Sequence, residues 1–227
     1  MVVTKDTIYG IYGASGLGRE VLPLVRDKLR ILNEYKDNIF FVDDKIESGK
    51  ESILSDCRVV SFNDFTSIKA NKYHMIISIA DSNIREKLTK KCLDNNIKIY
   101  NVMAQNVVQM DNVKLGDGYI LSPFVTITSD VKIGRGFQAN MYSYIAHDCQ
   151  IGDFVTFAPS VKCNGHIKIG DGTYIGTGVI INLGNSNKPI EIGKNVTVGA
   201  GVIISKNIPD NTLILAKEQK TQQKINR

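Results

Sequence analysis

The stretch "KIGRGFQANMYSYIAHDCQIGDFVTFAPSVKCNGHIKIG", residues 132–170, decides the fold. An aliphatic or other apolar residue recurs in it at every sixth position, and the repeat continues on both sides. We call each six-residue unit a hexad and this recurring position its sixth slot. In twelve consecutive hexads the sixth slot is free of charged and strongly polar residues: Leu115, Leu121, Ile127, Ile133, Ala139, Ile145, Ile151, Phe157, Cys163, Ile169, Ile175 and Ile181. Neither the 3.6-residue period of a helix nor the two-residue period of a strand produces this spacing.

A six-residue repeat is typical of one short strand and one turn per hexad, with three hexads forming a triangular coil of eighteen residues. Each coil buries its inner face only when coils stack. We therefore predict a left-handed parallel β-helix over residues 104–215. The register breaks after Leu183 and restarts at Ile192, which predicts a loop at 183–190. Residues 216–227 are a polar C-terminal tail.

The first part of the chain follows a different pattern, in which strands alternate with helices. We predict strands at "TIYGIYG", "NIFFVDD", "YHMIISIAD" and "IKIYNV", and helices at "GLGREVLPLVRDKL" and "NIREKLTKKCLDNN". Such alternation favours a parallel sheet with helices packed against it. We assign residues 1–103 to an α/β, Rossmann-like domain.

Composition narrows the function classes. The net charge of +5 is small and spread along the chain, so no nucleic-acid partner is expected. The chain shows neither a signal peptide nor a run of apolar residues long enough for a membrane span. Its four cysteines lack CxxC spacing, which favours reduced, packed thiols in a cytoplasmic protein: Cys57, Cys92, Cys149 and Cys163.

His147 is the first candidate for chemistry. It occupies an outward slot of its hexad, and Gly165, one coil later, should lie beside it at strand spacing. Asp148 adjoins the histidine and can orient its ring, while Asn140 precedes it by seven residues and is expected near the same edge. An imidazole beside a free backbone N–H suits acyl transfer, because one accepts a proton and the other stabilises an oxyanion. The alternative is a solvated surface histidine.

A second candidate is the glycine-rich turn "GASGLG", which follows the first strand and opens a helix. Gly13, Ser15 and Gly16 can offer backbone N–H groups to a phosphate at the helix N-terminus. Asp43 and Asp44 end the next strand, where a carboxylate can accept hydrogen bonds from a ribose. A simple tight turn and a solvated strand end are the alternatives.

The chain resembles bacterial sugar acetyltransferases of the PglD/NeuD type. The resemblance is carried by "IYGASGLGRE", "FVDD", "IAHDCQIGD", "VKCNGHIKIG" and the hexads. It implies a homotrimer that binds acetyl-CoA between neighbouring β-helices, while the first domain holds a nucleotide-sugar. The implied reaction is acetylation of the 4-amino group of a UDP- or dTDP-linked deoxy sugar, for surface glycan biosynthesis.

The resemblance also implies residue roles. His147 would be the general base, Asp148 its partner, Gly165 the amide donor to the acetyl carbonyl, and Asn140 part of the acceptor site. Further contacts with coenzyme A would come from later coils: Gly176, Thr177 and Gly199.

The chain departs from the family pattern at three places. Thr156 stands where members often carry a second histidine, Leu17 replaces a histidine of the glycine loop, and "LAKEQK" replaces a "GVPAK"-like segment. Two other functions stay open, namely O-acetylation of a sialic acid or related sugar and a non-catalytic β-helix that only binds nucleotide-sugar. No metal is expected, because His147 and His166 alone cannot complete a three-ligand set.

Overall fold

The structure is a computed structural model that describes residues 5–31 and 38–216. Residues 217–227 of the predicted polar tail lie outside the described residues.

The first domain is an α/β unit. Its described elements are six strands and three helices: β1 (Lys5–Tyr12), α1 (Gly16–Ile31), β2 (Ile39–Val42), β3 (Ser52–Leu54), β4 (Cys57–Val60), α2 (Phe62–Ser67), β5 (Ala70–Ile77), α3 (Ser82–Asp94) and β6 (Lys98–Ile99). The strand order is β3-β4-β2-β1-β5-β6, and only the β3–β4 pair is antiparallel. The predicted Rossmann-like arrangement is confirmed, and β3, β4 and α2 are additions to it.

Both faces of this sheet are covered. The apolar stripe of α1 packs on one face, where Val21, Val25 and Leu29 are buried against Ile11 of β1. A second cluster on the other face contains Phe65 of α2 and Cys92 of α3. Coverage on both faces explains why β2 and residues 8–12 of β1 contain no charged residue.

The second domain is a left-handed parallel β-helix with three faces, as predicted. Its first face contains the strands Val102–Met103, Ile120–Leu121, Gln138–Ala139, Thr156–Phe157, Tyr174–Ile175, Thr197–Val198 and Leu213–Ile214. Its second face contains Val108–Gln109, Thr126–Ile127, Tyr144–Ile145, Lys162–Cys163, Ile180–Ile181 and Ile203–Ile204. Its third face contains Lys114–Leu115, Lys132–Ile133, Gln150–Ile151, Ile167–Ile169 and Ile190–Ile192. The stack thus begins at Val102, and the single strand predicted at "IKIYNV" is divided between the two domains.

Three corners join the faces, and one coil shows their order. Residues 140–143 form the first corner, 146–149 the second and 152–155 the third. Every sixth-slot residue from Leu121 to Ile181 is buried inside the prism. At the third corner a side chain on Gly134 or Gly152 would lie 2.7 Å from the backbone of the next coil. Glycine is required there because successive coils approach at strand spacing.

The predicted loop leaves the prism at the second corner. Ile167 pairs with Ile190, 23 residues later, whereas Ile151 pairs with Ile169 at the regular spacing of 18. The five extra residues turn back through a bridge between Asn185 and Lys188. Ile190 is a buried strand residue, so the loop ends one residue earlier than predicted.

Arg85 of α3 joins the two domains. Its side chain is 1% exposed and donates to the carbonyl oxygens of Gly136 and Phe154 and to the hydroxyl of Thr156, at 2.5–2.9 Å. Burial lowers the pKa of Arg85 to about 10. Thr156 also donates to the carbonyl of Ala80, so its hydroxyl is committed to the domain contact.

All four cysteines are buried and free, as the packed-thiol prediction requires. None of the helices in the described ranges has the length and hydropathy that crossing a membrane requires.

Candidate active site

His147 projects outward from the second corner. Its side chain is 52% exposed, and Nδ1 lies 2.7 Å from Oδ2 of Asp148, whose side chain is 48% exposed. Asp148 adopts a left-handed backbone conformation, with φ of 59°, which aspartate tolerates well. With Nδ1 held by the carboxylate, Nε2 is the ring nitrogen left for a substrate, and no residue in the described ranges hydrogen-bonds to it. The outward orientation predicted for His147 is confirmed.

Gly165 lies directly beneath the imidazole. A Cβ atom on this glycine would lie 2.6 Å from Cε1 and 2.7 Å from Nε2 of His147. The glycine is buried, and its N–H has no hydrogen-bond partner within the described residues. The stacking expected from the 18-residue coil is confirmed. From the sequence, a glycine at this position was expected to let a ligand approach its backbone N–H. The structure shows that the missing side chain leaves room for the imidazole of His147.

His166 is a neighbour that sequence reasoning set aside. It follows Asp148 by one coil, and its Nε2 lies 3.8 Å from the same Oδ2 that faces His147. The two imidazole rings meet edge to face, with centroids 5.1 Å apart. The 18-residue spacing that places Gly165 beside His147 also places His166 beside Asp148. The contact between Asp148 and His166 could therefore have been predicted from the sequence.

Asn140 lies at the first corner, so the expectation that it shares the edge of His147 is wrong. The strand Tyr144–Ile145 separates the two corners, because each hexad turns the chain onto the next face. Its side-chain amide donates to the carbonyl of Phe157 at 3.1 Å.

The predicted coenzyme A contacts lie along this same first corner. Gly176 is buried, and a Cβ there would lie 2.6 Å from the carbonyl oxygen of Val198. Thr177 is exposed, and its carbonyl accepts from the N–H of Gly201. Gly199 stacks above Gly176 on the next coil. One chain therefore places these residues and His147 on different edges of the prism.

The glycine loop follows β1 and opens α1, as the sequence predicts, but the expectation that Gly13 offers its N–H to a phosphate is wrong, because that N–H is already used. Gly13 has φ of +108°, and its N–H donates to the carbonyl of Val42. Gly18 packs so closely on Gly13 that a Cβ would lie 2.0 Å from its carbonyl oxygen. Gly16 opens α1 and has no atom within 4 Å of a Cβ position. Since the first turn of α1 contains no acidic residue, its N-terminus remains suited to an anion.

The carboxylates beside this loop already have partners. Asp43 accepts from the backbone N–H of Ala14 at 3.2 Å and so ties the loop to the end of β2. Asp44 accepts from the hydroxyl of Tyr12 at 2.7 Å and pairs with Lys91 at 3.2 Å. Lys91, which the sequence analysis did not single out, brings a positive charge close to the loop.

Comparisons with known proteins agree with this architecture. Residues 10–92 match the family model described as the PglD N-terminal domain. The chain is 40% identical over 183 residues to the GDP-perosamine N-acetyltransferase of Escherichia coli O157:H7, covering 81% of each protein. The chain belongs to the PglD-type sugar acetyltransferases.

Solved structures extend the comparison of this PglD-type acetyltransferase. WeeI from Acinetobacter baumannii AYE superimposes with a TM-score of 0.89 at 44% identity, over 93% of this chain and 97% of that one. PerB from Caulobacter crescentus, solved in complex with CoA and GDP-perosamine, superimposes with a TM-score of 0.77 at 22% identity, over 92% and 94% of the two chains. At that identity PerB supports the fold alone.

A groove of about 830 Å³ runs beside the second corner of this acetyltransferase. Asp148 and His166 line one side, and the extruded loop lines another through Asn185 and Asn187. Lys168, on the outer side of the third face, also lines the groove. The loop therefore borders the candidate catalytic corner.

Proposed function

We propose that the protein transfers the acetyl group of acetyl-CoA to the 4-amino group of a nucleotide-linked amino-dideoxy sugar, in bacterial surface glycan biosynthesis. The observation that carries the proposal is a half-exposed imidazole oriented by Asp148 above Gly165. A relative supports the reaction and the acceptor class, since the protein that is 40% identical to this chain is named as a GDP-perosamine N-acetyltransferase.

The chemistry follows from the geometry. The sugar amine attacks the thioester carbonyl, and the new C–N bond forms as negative charge moves to the carbonyl oxygen. The unpaired N–H of Gly165 stabilises that oxyanion, and Nε2 of His147 accepts a proton from the amine. The C–S bond then breaks, and the leaving thiolate takes the proton from His147. Asp148 is a positioning residue that keeps Nδ1 protonated and Nε2 free to accept.

The first domain supplies the nucleotide site in this proposal. Diphosphate oxygens bind the N-terminus of α1 at Ser15 and Gly16, whose N–H groups have no hydrogen-bond partner in the described ranges. Asp43 holds the loop in shape, and Asp44 with Lys91 contacts the sugar or ribose. The relative's name favours GDP as the nucleotide, with UDP and dTDP as the alternatives that the sequence suggested.

The experiment is a thiol-release assay with acetyl-CoA and a panel of GDP-, UDP- and dTDP-linked amino sugars. We expect turnover with one nucleotide class, and His147→Asn should reduce kcat by about 10²–10⁴-fold. The matched control is His166→Asn, which alters the neighbouring histidine and should keep turnover. Release of CoA by His147→Asn at the wild-type rate would refute the assigned base, and wild-type turnover of a sialic acid alone would favour the O-acetyltransferase alternative.

We further propose that the working unit is a homotrimer. Asn140, Gly176, Thr177 and Gly199 follow the first corner, whereas His147 lies at the second. A second copy can bring its first corner to the second corner of its neighbour, so that coenzyme A contacts both chains. Light scattering on the purified protein tests the number of chains.

A further inference from the structure

Three potential metal ligands converge at the second corner. One ligand atom each from His147, Asp148 and His166 can be chosen so that all three lie within 4.8 Å of one another. Within this set, Oδ2 of Asp148 lies 2.7 Å from Nδ1 of His147 and 3.8 Å from Nε2 of His166. The set is reachable from solvent, because His147 and Asp148 are half exposed and His166 is 24% exposed. Two histidines alone fall short of a three-ligand set, but the carboxylate of Asp148 between them supplies the third ligand.

The donor set selects the ion. Two imidazoles and one carboxylate match the three protein ligands that zinc accepts, with water in the fourth position. Mg²⁺ and Ca²⁺ prefer oxygen ligands and gain little from two ring nitrogens. Asp148 and His166 occupy the same corner position one coil apart, with φ of 59° and 56°, so their side chains start from neighbouring, equivalent backbone positions.

We propose that His147, Asp148 and His166 form a Zn²⁺ site that switches off the catalytic base. The ion lies between the three side chains and coordinates Nδ1 of His147, Oδ2 of Asp148 and Nε2 of His166. Small rotations of the three side chains bring the ligand atoms to the roughly 3.3 Å separations that bonds of about 2.0–2.1 Å require. The backbone of the stacked coils does not move.

The inhibition follows from the tautomer of one ring. In the active state the Nδ1 proton faces Asp148 and Nε2 carries the lone pair that accepts a proton from the amine. When Zn²⁺ bonds to Nδ1, that nitrogen loses its proton and the neutral ring carries its proton on Nε2. His147 then presents an N–H donor to the substrate, so general-base catalysis stops without any change of fold.

Zinc binding is measured by calorimetry on the full-length protein, with ZnCl₂ as the titrant and no substrate present. We expect one Zn²⁺ per chain, with binding weakened about tenfold or more in His166→Asn, which removes one of three ligands. Asp130→Asn is the matched control. Asp130 lies one coil before Asp148 at the same corner, with φ of 60°, and accepts from Asn112. MgCl₂ and CaCl₂ should give no heat of binding at the same concentrations.

The binding result does not depend on catalysis, whereas a second readout rests on the proposed function. Zn²⁺ should inhibit acetyl transfer by the wild type, EDTA should restore it, and His166→Asn should resist inhibition. Equal Zn²⁺ affinity in wild type and His166→Asn would overturn the proposal. So would a thiolate charge-transfer band on substituting Co²⁺, because that would place the ion on Cys149 or Cys163. If the protein binds Zn²⁺ as expected but transfers no acetyl group, the proposed function is refuted and the zinc site is not.

Discussion

Gly165 can be tested through the distance between its missing side chain and the imidazole. Gly165→Ala would place a Cβ 2.6–2.7 Å from Cε1 and Nε2 of His147, so the ring must move. Because that side chain is half exposed, it can swing into solvent and leave the coil intact. We expect a melting temperature close to that of the wild type and a fall in kcat of about 10²-fold, as a misplaced catalytic group produces. Steady-state kinetics and thermal unfolding measure the two quantities.

A double-mutant cycle separates displacement of the ring from other effects of the added methyl group. If Gly165→Ala acts only by moving His147, it should have no further effect on the residual activity of His147→Asn. An additional loss in that background would contradict the stacking explanation.

Asp148 has a matched partner for comparison, because Asp130 occupies the same corner one coil earlier. Asp148→Asn should reduce kcat by roughly 10²-fold, since an amide fixes the tautomer of His147 less well than a carboxylate. Asp130→Asn should keep wild-type kcat, because Asp130 contacts Asn112 instead. Steady-state assays at saturating acetyl-CoA compare the variants, and equal losses in both would remove the specific role of Asp148.

For single residues, the sequence could predict the neighbours and orientations that the 18-residue coil determines. It placed Gly165 beside His147 and turned the imidazole outward, and both are confirmed. It misplaced Asn140, because a seven-residue separation was taken as one edge although a hexad turns the chain onto the next face. It could not predict the partners of Asp44, since Tyr12 and Lys91 reach it from separate elements.

Helix α3 contributes one buried cation, Arg85, to the contact between the two domains, so Arg85→Met tests that contribution. The variant leaves the carbonyls of Gly136 and Phe154 buried without a donor, and we expect a loss of about 2–4 kcal/mol in the free energy of unfolding. Arg135→Met removes an exposed ion pair with Asp153 and should cost about 1 kcal/mol or less. Denaturant unfolding compares them, and similar losses would show that Arg85 is not the principal domain contact.

The extruded loop can be removed without disturbing the coil register. Deleting residues 185–189 joins Gly184 to Ile190 and restores the 18-residue spacing to Ile167. We expect the β-helix to stay folded, because its core lies below the loop, and the KM for acetyl-CoA to rise severalfold, because the groove loses one wall. Thermal unfolding and kinetics measure the outcome. An unchanged KM would show that the loop does not border the donor site.

Element prediction succeeded where periodicity was long and failed where elements were short. Twelve hexads define the β-helix, and the stripe of α1 defines its buried face. The three-residue strand β3 and the six-residue helix α2 are too short to show a period. Arg85 could not be predicted to be buried, because a charged residue on a polar helix is normally solvent-exposed.

In the whole molecule, the residues proposed for one reaction lie on separate edges of the prism. The glycine loop belongs to the first domain, whose Arg85 docks near the third corner through Gly136 and Phe154. His147 lies at the second corner and Thr177 at the first. A hexad pattern in one chain cannot show how these edges meet, since it fixes coil geometry but not the packing of one prism against another.

Complementation between two inactive variants tests whether neighbouring chains share a site. His147→Asn removes the proposed base from the second corner, and Thr177→Arg places a bulky cation in the proposed path of coenzyme A at the first corner. Each variant alone should retain only a small residual activity. After mixed refolding, a shared site would combine the intact second corner of one chain with the intact first corner of another, so activity should return to a fraction of the wild-type value. A site contained in one chain stays inactive in every mixture. The absence of recovery in verified mixed oligomers would therefore contradict the shared site, whatever number of chains light scattering reports.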